Sequence, residues 1–170
     1  MGITYTAPEP LNPEHKIDFF DCGETSLNNW LKERAIKSES TGAARTYVVC
    51  ADNRVVGYYC LSTGSVMRDQ APGKIKQNMP DPIPVIIVGR LAVDRNHQGQ
   101  GLGKALIKDA VLRSLQASVI AGIRAILVHA LNEKAKQFYT EKCGFISSRL
   151  DPLTLMLNLS EAQKSRTLAN

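Results

Sequence analysis

An aliphatic run from Ile86 to Val93, broken only by Gly89 and Arg90, has the β-branched content of a buried strand. After it comes a loop with Gln98, Gly99, Gln100, Gly101 and Gly103. Leu106, Ile107, Ala110, Val111, Leu115 and Val119 then recur at helical period, and Gly122 ends that helix. Ile123–Ala130 is the next strand, so strand, helix and strand in this order predict a right-handed parallel crossover. Upstream, Ala44–Cys50 and Val55–Met67 read as strands joined by the turn Asp52-Asn53, a hairpin. Asp21–Ser40 reads as one helix, with Asp21 as cap and Glu24 completing a capping box. Leu27, Trp30, Leu31 and Ala35 form its apolar face, opposite Lys32, Arg34 and Lys37.

The remaining stretches have weaker periodicity. Ile3–Pro13 holds three prolines and is expected to be extended, with 1–13 as an N-terminal segment. Arg68–Pro84 carries Pro72, Pro80, Pro82 and Pro84, which predicts a long stiffened loop. Asn132–Cys143 is a short helix, Gly144-Phe145 resumes a strand, and Thr154–Leu159 supplies a last strand antiparallel to it. Residues 160–170 are polar and predicted to fray as a flexible tail. A single domain over 1–170 fits this length.

Charge and cysteines narrow the function. The chain has 21 Lys+Arg against 16 Asp+Glu, a formal charge of +5, which favours polyanionic partners. Its apolar runs fall short of a membrane span, and the start lacks the basic and apolar blocks of a secretory signal. Cys22, Cys50, Cys60 and Cys143 show no metal or disulfide spacing and read as reduced thiols of a cytoplasmic protein. No metal is expected.

The glycine loop is the candidate chemical centre. Gly99, Gly101 and Gly103 let the backbone fold close to a ligand, and the first turn of the following helix offers unpaired N–H groups to phosphate. A Walker loop would need a hydroxyl after Gly103-Lys104, where Ala105 stands. A dinucleotide fingerprint would need another glycine spacing. Gln98-x-x-Gly101-x-Gly103 after a strand ending Leu91-Ala92-Val93 instead resembles the pyrophosphate loop of the GCN5-related N-acetyltransferases (GNAT). Ala135-Lys136-Gln137-Phe138-Tyr139, five residues before Gly144-Phe145, resembles the closing motif of the same family.

That resemblance implies an α/β (mixed α+β) GNAT fold: a central mixed sheet of six to seven strands with a splayed parallel pair, flanked by helices. It also implies acetyl-coenzyme A, held by Leu91, Ala92, Val93, Gln98, Gly99, Gln100, Gly101, Leu102, Gly103, Lys104, Asn132, Lys136 and Phe138. Tyr139 is the family position of a general acid for the leaving thiolate. Its bland alternative is a core tyrosine beside Phe138 and Phe145. Many relatives place a glutamate base on the strand before the loop, but Val85–Leu91 has Arg90 and no carboxylate. His129 is the remaining candidate base, at a strand end, and His97 is expected to face solvent or phosphate. A lysine amine, with pKa about 10.4, would stay protonated, whereas an α-amine at about 7.7–8.0 already has a neutral fraction.

Leu27-Asn28-Asn29-Trp30-Leu31, Gly42–Val49, Asn78–Pro84 and Arg90–Asp94 extend the likeness over nearly the whole chain, to the TacT- and AtaT-like acetyltransferase toxins of type II toxin-antitoxin modules. This branch implies acetylation of the amino acid on aminoacyl-tRNA, translation inhibition, a homodimer and a ribbon-helix-helix antitoxin encoded alongside. Arg90, Arg45, Lys32, Arg34, Lys37, Lys74, Lys76 and Arg95 are then candidates for gripping tRNA. Two other readings stay open: an acetyltransferase of a small amine, antibiotic or protein N-terminus, and a non-catalytic module, which a buried Tyr139 in a closed cleft would favour.

Overall fold

The structure, a computed structural model, describes residues 2–169, with side chains through residue 164. Seven strands hydrogen-bond in the order β1-β2-β3-β4-β5-β7-β6 to give a mixed sheet flanked by helices. They are β1 (Glu9–Pro10), β2 (Arg45–Ala51), β3 (Arg54–Val66), β4 (Ile83–Val93), β5 (Ala125–His129), β6 (Ile146–Ser147) and β7 (Thr154–Asn158). The helices are α1 (Thr25–Glu33), α2 (Ala35–Thr41), α3 (Gly73–Lys76), α4 (Leu102–Ser118), α5 (Glu133–Gln137) and α6 (Leu159–Ala169). None of the described helices is long and apolar enough to cross a membrane. The chain divides into two compact units, Met1–Ser62 with Gly89–Asp109, and Thr63–Val88 with Ala110–Asn170.

In the first unit β2 and β3 form the expected hairpin, paired from Arg45↔Leu61 to Ala51↔Arg54 with a bulge at Val49/Cys50. Asp52 and Asn53 both take positive φ, 51° and 63°, which matches the strand twist of a two-residue hairpin turn. The core gathers Leu11, Phe20, Leu31, Ala35, Val48, Val55, Tyr58 and Ala92. Leu27 and Trp30 pack against it as the sequence anticipates.

The helix expected from Asp21 begins four residues later and is interrupted. Asp21 turns its carboxylate to the Gly23 N–H (2.9 Å) and the Asn28 amide (3.0 Å), and Gly23 takes a φ of 94°. Glu24 stands at the cap with no side-chain bond. At Arg34 the backbone leaves helical geometry, φ −124° and ψ −26°, and α2 restarts at Ala35. No Gly or Pro marks that break in the sequence.

The second unit holds the parallel pair. The register of β4 and β5 runs from Val85↔Ala125 to Val88↔Val128, and β4 itself goes on to Val93. β5 pairs antiparallel with β7, which also pairs with β6, so the predicted last strand lies between two neighbours. Its core contains Val66, Ala71, Ile75, Ile83, Val85, Ala125, Leu127 and Met156. The proline-rich segment is an ordered loop around the short helix α3. Arg68 donates to the carbonyls of Lys76 (2.8 Å) and Met79, and Arg124 to those of Ile75 (3.0 Å) and Lys74 (2.8 Å). The two guanidiniums thus satisfy the carbonyls that a helix C-terminus leaves without partners.

Three boundaries differ from the sequence pattern. α4 stops at Ser118, whose hydroxyl takes the Leu115 carbonyl (2.7 Å), leaving Val119 and Ile120 86% and 91% exposed. Gly144 and Phe145 belong to a turn rather than a strand, with φ 78° at Gly144 and the Phe145 N–H on the Tyr139 carbonyl. The polar tail is helical as α6, seeded by Asn158, which accepts from Ser160 N (2.9 Å) and Glu161 N (3.3 Å). An Asn at the N-cap supplies that start signal. The final residue lies outside those described.

Leu31 is wholly buried, so Leu31→Ala is expected to destabilise by about 2–5 kcal/mol, read as a lower urea midpoint. The exposed Val119→Ser should stay within about 0.5 kcal/mol. Equal losses in the two variants would contradict this placement of the core.

Candidate functional site

The glycine loop is set by a buried carboxylate the sequence reading did not single out. Asp94, 7% exposed, follows β4; its Oδ1 accepts from Asn96 N (2.9 Å) and its Oδ2 from Asp21 N (3.0 Å). Its own N–H donates to the Val56 carbonyl (2.8 Å). Arg95 pairs with Asp21 and donates its N–H to the Asp21 carbonyl. The Arg95 guanidinium, with the Gly23 N–H and Asn28, holds the Asp21 carboxyl down at about 2. The signal for this anchor was Asp-x-Asn at a strand end, a short-range pattern in which the carboxylate bonds the N–H two residues on.

The Gln98 side chain closes the loop on itself, donating to the carbonyls of Val93 (3.0 Å) and Cys22 (3.4 Å). Gly99 and Gly101 both adopt left-handed backbone, φ 81° and 80°, which a side chain resists. A Cβ built at either would meet nothing within 4 Å, so conformation and not crowding demands glycine, and the loop face is open. α4 begins at Leu102, which is buried; Gly103 and Lys104 lie in its first turn, Lys104 and Gln100 exposed. Leu91 and Val93 are half-buried and Ala92 is buried at the end of β4.

In the second unit Asn132 caps α5, accepting from Ala135 N (2.9 Å). The helix then widens into a π turn over Phe138–Lys142, where Thr140 donates to the Lys136 carbonyl (3.0 Å). This turn carries Tyr139, whose ring lies 5.3 Å from Phe138 and 5.6 Å from Phe145 and is 7% exposed. The ring packs as a core tyrosine would. Its oxygen, however, is not among the sealed polar atoms without a partner, which in the described residues are Thr46 Oγ1 and Ser114 Oγ. Burial pushes the phenol's pKa well above its ordinary value.

The histidines have partners. Tyr5 meets His97 Nδ1 at 2.9 Å, which ties the loop to the N-terminal segment rather than leaving the ring to solvent. His129 is exposed, with Nδ1 3.0 Å from Thr154 Oγ1, and that hydroxyl donates to Asp151 (2.8 Å). Because Thr154 gives its one proton to Asp151, it can only accept from His129, which fixes the proton on Nδ1 and leaves the Nε2 lone pair outward. Sequence distance hid this relay; the β5–β7 register sets His129 opposite Thr154. Glu9, His15 and Cys50 also converge, but His15 is spent within the fold. Its Nδ1 accepts from Asn12 N (3.0 Å), so Nε2 carries the proton facing Glu9 (2.9 Å).

The eight candidate cations separate by partner. Arg45 pairs with Glu39 (3.1 Å), Arg95 with Asp21, and Lys74 with Glu161 (3.4 Å). Lys32, Arg34 and Lys37 are exposed on α1, α2 and the junction between them, and among the described residues no carboxylate pairs with them. Lys76 is half-buried. Arg90 lies with its guanidinium 4.6 Å above the Trp30 ring.

Known proteins share this arrangement. A tRNA-acetylating toxin of Mycobacterium tuberculosis is 46% identical over 159 residues, 94% of this chain and 95% of the toxin. The structure of AtaT complexed with acetyl-methionyl-tRNAfMet matches with a TM-score of 0.85 at 32% identity, over 95% of this chain and 98% of that one. A tyrosine-to-phenylalanine mutant of AtaT, bound to the C-terminus of the antitoxin AtaR and acetyl-CoA, matches with a TM-score of 0.80 at 30% identity, over 98% and 99%. The family model for acetyltransferases (GNAT) matches residues 8–145, a span that takes in the hairpin, the glycine loop and the π turn, and this chain belongs to that family.

Proposed function

We propose that this chain is a toxin acetyltransferase that moves acetyl from acetyl-coenzyme A to the α-amino group of the amino acid on charged tRNA, and so blocks translation. The observation that carries the acceptor is β4, which presents Arg90 and no carboxylate. An amine with a high pKa would need a base there, whereas an α-amine, more so once its carboxyl is esterified, already has a neutral fraction near pH 7. The unpaired Lys32, Arg34 and Lys37 suit a polyanion. The likeness to a tRNA-acetylating toxin and to AtaT with its acetylated tRNA supports the same acceptor. On this reading the protein works in the cytoplasm as a homodimer, and a ribbon-helix-helix antitoxin encoded alongside neutralises it.

Acetyl-coenzyme A supplies the acetyl group as an activated thioester, and the residues present fit it: the loop face at Gly99 and Gly101 is open, and α4 starts directly behind. We assign the pyrophosphate to the N–H groups of Gln98–Lys104; a role for Asn132, Lys136 and Phe138 in holding the cofactor is what the family likeness implies. Backbone N–H groups along Leu91, Ala92 and Val93 hold the pantetheine and thioester, and one that faces the carbonyl oxygen steadies it as it gains charge. A C–N bond forms as the C–S bond breaks. The ammonium proton leaves to water, and Tyr139 gives its phenolic proton to the departing sulfur. Burial keeps the Tyr139 phenol protonated, and so present as a proton donor, at neutral pH.

Tyr139→Phe is expected to lower kcat about 10²–10⁴-fold while acetyl-coenzyme A still binds. The assay follows radiolabelled acetyl onto aminoacylated tRNA and its release by mild base; wild-type protein that binds cofactor but labels only a small amine would sink the reading. Gly101→Val places a β-branched side chain at φ 80°, at a cost of about 1–2 kcal/mol, and should raise the Kd for acetyl-coenzyme A about tenfold by calorimetry. An unchanged Kd would remove the loop from the cofactor site.

A further inference from the structure

Arg90 sits in an unusual setting for a half-buried cation. Its guanidinium lies 4.6 Å over the face of Trp30, and among the described residues no carboxylate pairs with it. Trp30 is itself fixed from behind: it stacks on Tyr58 at 5.9 Å with the rings only 12° from parallel. Tyr58 is wholly buried, closed from another side by Phe20 (5.5 Å), and donates its hydroxyl to the Leu27 carbonyl on α1 (2.7 Å). Cys60, also beside Arg90, is a buried thiol whose pKa burial raises, so it brings no negative charge. Every neighbour of Arg90 in this cluster holds it in place, and none cancels its charge. An aromatic face attracts a cation while leaving the N–H edge of the fork free to bind an anion.

We propose that Trp30 is a positioning residue for the acceptor: backed by Tyr58, its indole holds Arg90 as an unneutralised cation for a backbone phosphate near the aminoacylated end of tRNA. The inference rests on the tRNA-acetylation reading and extends it from Arg90 to the residues that aim it. Guanidinium and phosphate match as a planar fork to two oxygens, so a displaced Arg90 loses geometry as well as charge. Lys at position 90 would restore a point charge without the fork.

Two readouts on the full-length protein test this. In steady-state label transfer, Trp30→Leu is expected to raise KM for charged tRNA about five- to tenfold with kcat within about twofold. Trp30→Phe, which keeps an aromatic face, should recover most of the loss. Binding of uncharged tRNA, followed against salt, should lose about one unit of slope in Arg90→Met and less than that in Trp30→Leu. Arg90→Met removes the charge but leaves the aromatic stack, so a lower melting temperature in Trp30→Leu does not confuse the result. An unchanged KM and salt slope in both variants, with wild-type transfer intact, overturns the role of Trp30 and Arg90 and spares the tRNA reading. A fall in kcat alone would also overturn it. No transfer by wild-type protein overturns the reading beneath, whatever the salt slopes.

Discussion

The loop at the end of β4 depends on where one charge is buried. Asp94 is nearly sealed from solvent, and a carboxylate so placed must find hydrogen bonds for both oxygens. It finds them on opposite sides, one from its own turn and one from Asp21 at the start of the helical segment. The strand therefore stops at one residue, and the N-terminal segment is tied to the same point. Gln98 then binds back to Val93, so the glycines that follow start from a fixed origin. A loop whose path is set by glycine backbone has few side chains to adjust its shape; it depends on that origin.

The second unit solves a different problem. Here an aromatic ring has to be seated at the end of a short helix. The π turn over Phe138–Lys142 brings Phe138 and Phe145 against the Tyr139 ring, which is buried.

Strand content was legible because it rests on local patterns: the hairpin around Asp52-Asn53, the β4 run and the β5 run all lie where their alternation and turn residues put them. The glycine loop was legible because Gly99 and Gly101 meet a backbone need that most side chains resist. Helix ends were less so. Nothing in the residues around Arg34 marks the break, and Val119 continues the apolar period of α4 past the point where Ser118 ends it. Long-range polar partners were the least visible. That Asp94 serves Asp21, that Arg68 and Arg124 brace the proline-rich loop, and that Asp151 reaches His129 through Thr154 all depend on separations no periodicity encodes. The same blindness hid which cations are already paired.

The split among those cations has a consequence in time. Arg45, Arg95 and Lys74 each face a carboxylate of their own, so their fields largely cancel a short distance from the surface. Lys32, Arg34 and Lys37 are uncancelled and cluster on one helical stretch. Their field reaches about one Debye length, roughly 8 Å at physiological ionic strength, and draws in a polyanion before any specific contact forms. Such steering raises the rate of encounter more than the lifetime of the complex. A surface built this way meets polyanions often and holds one only where finer contacts agree.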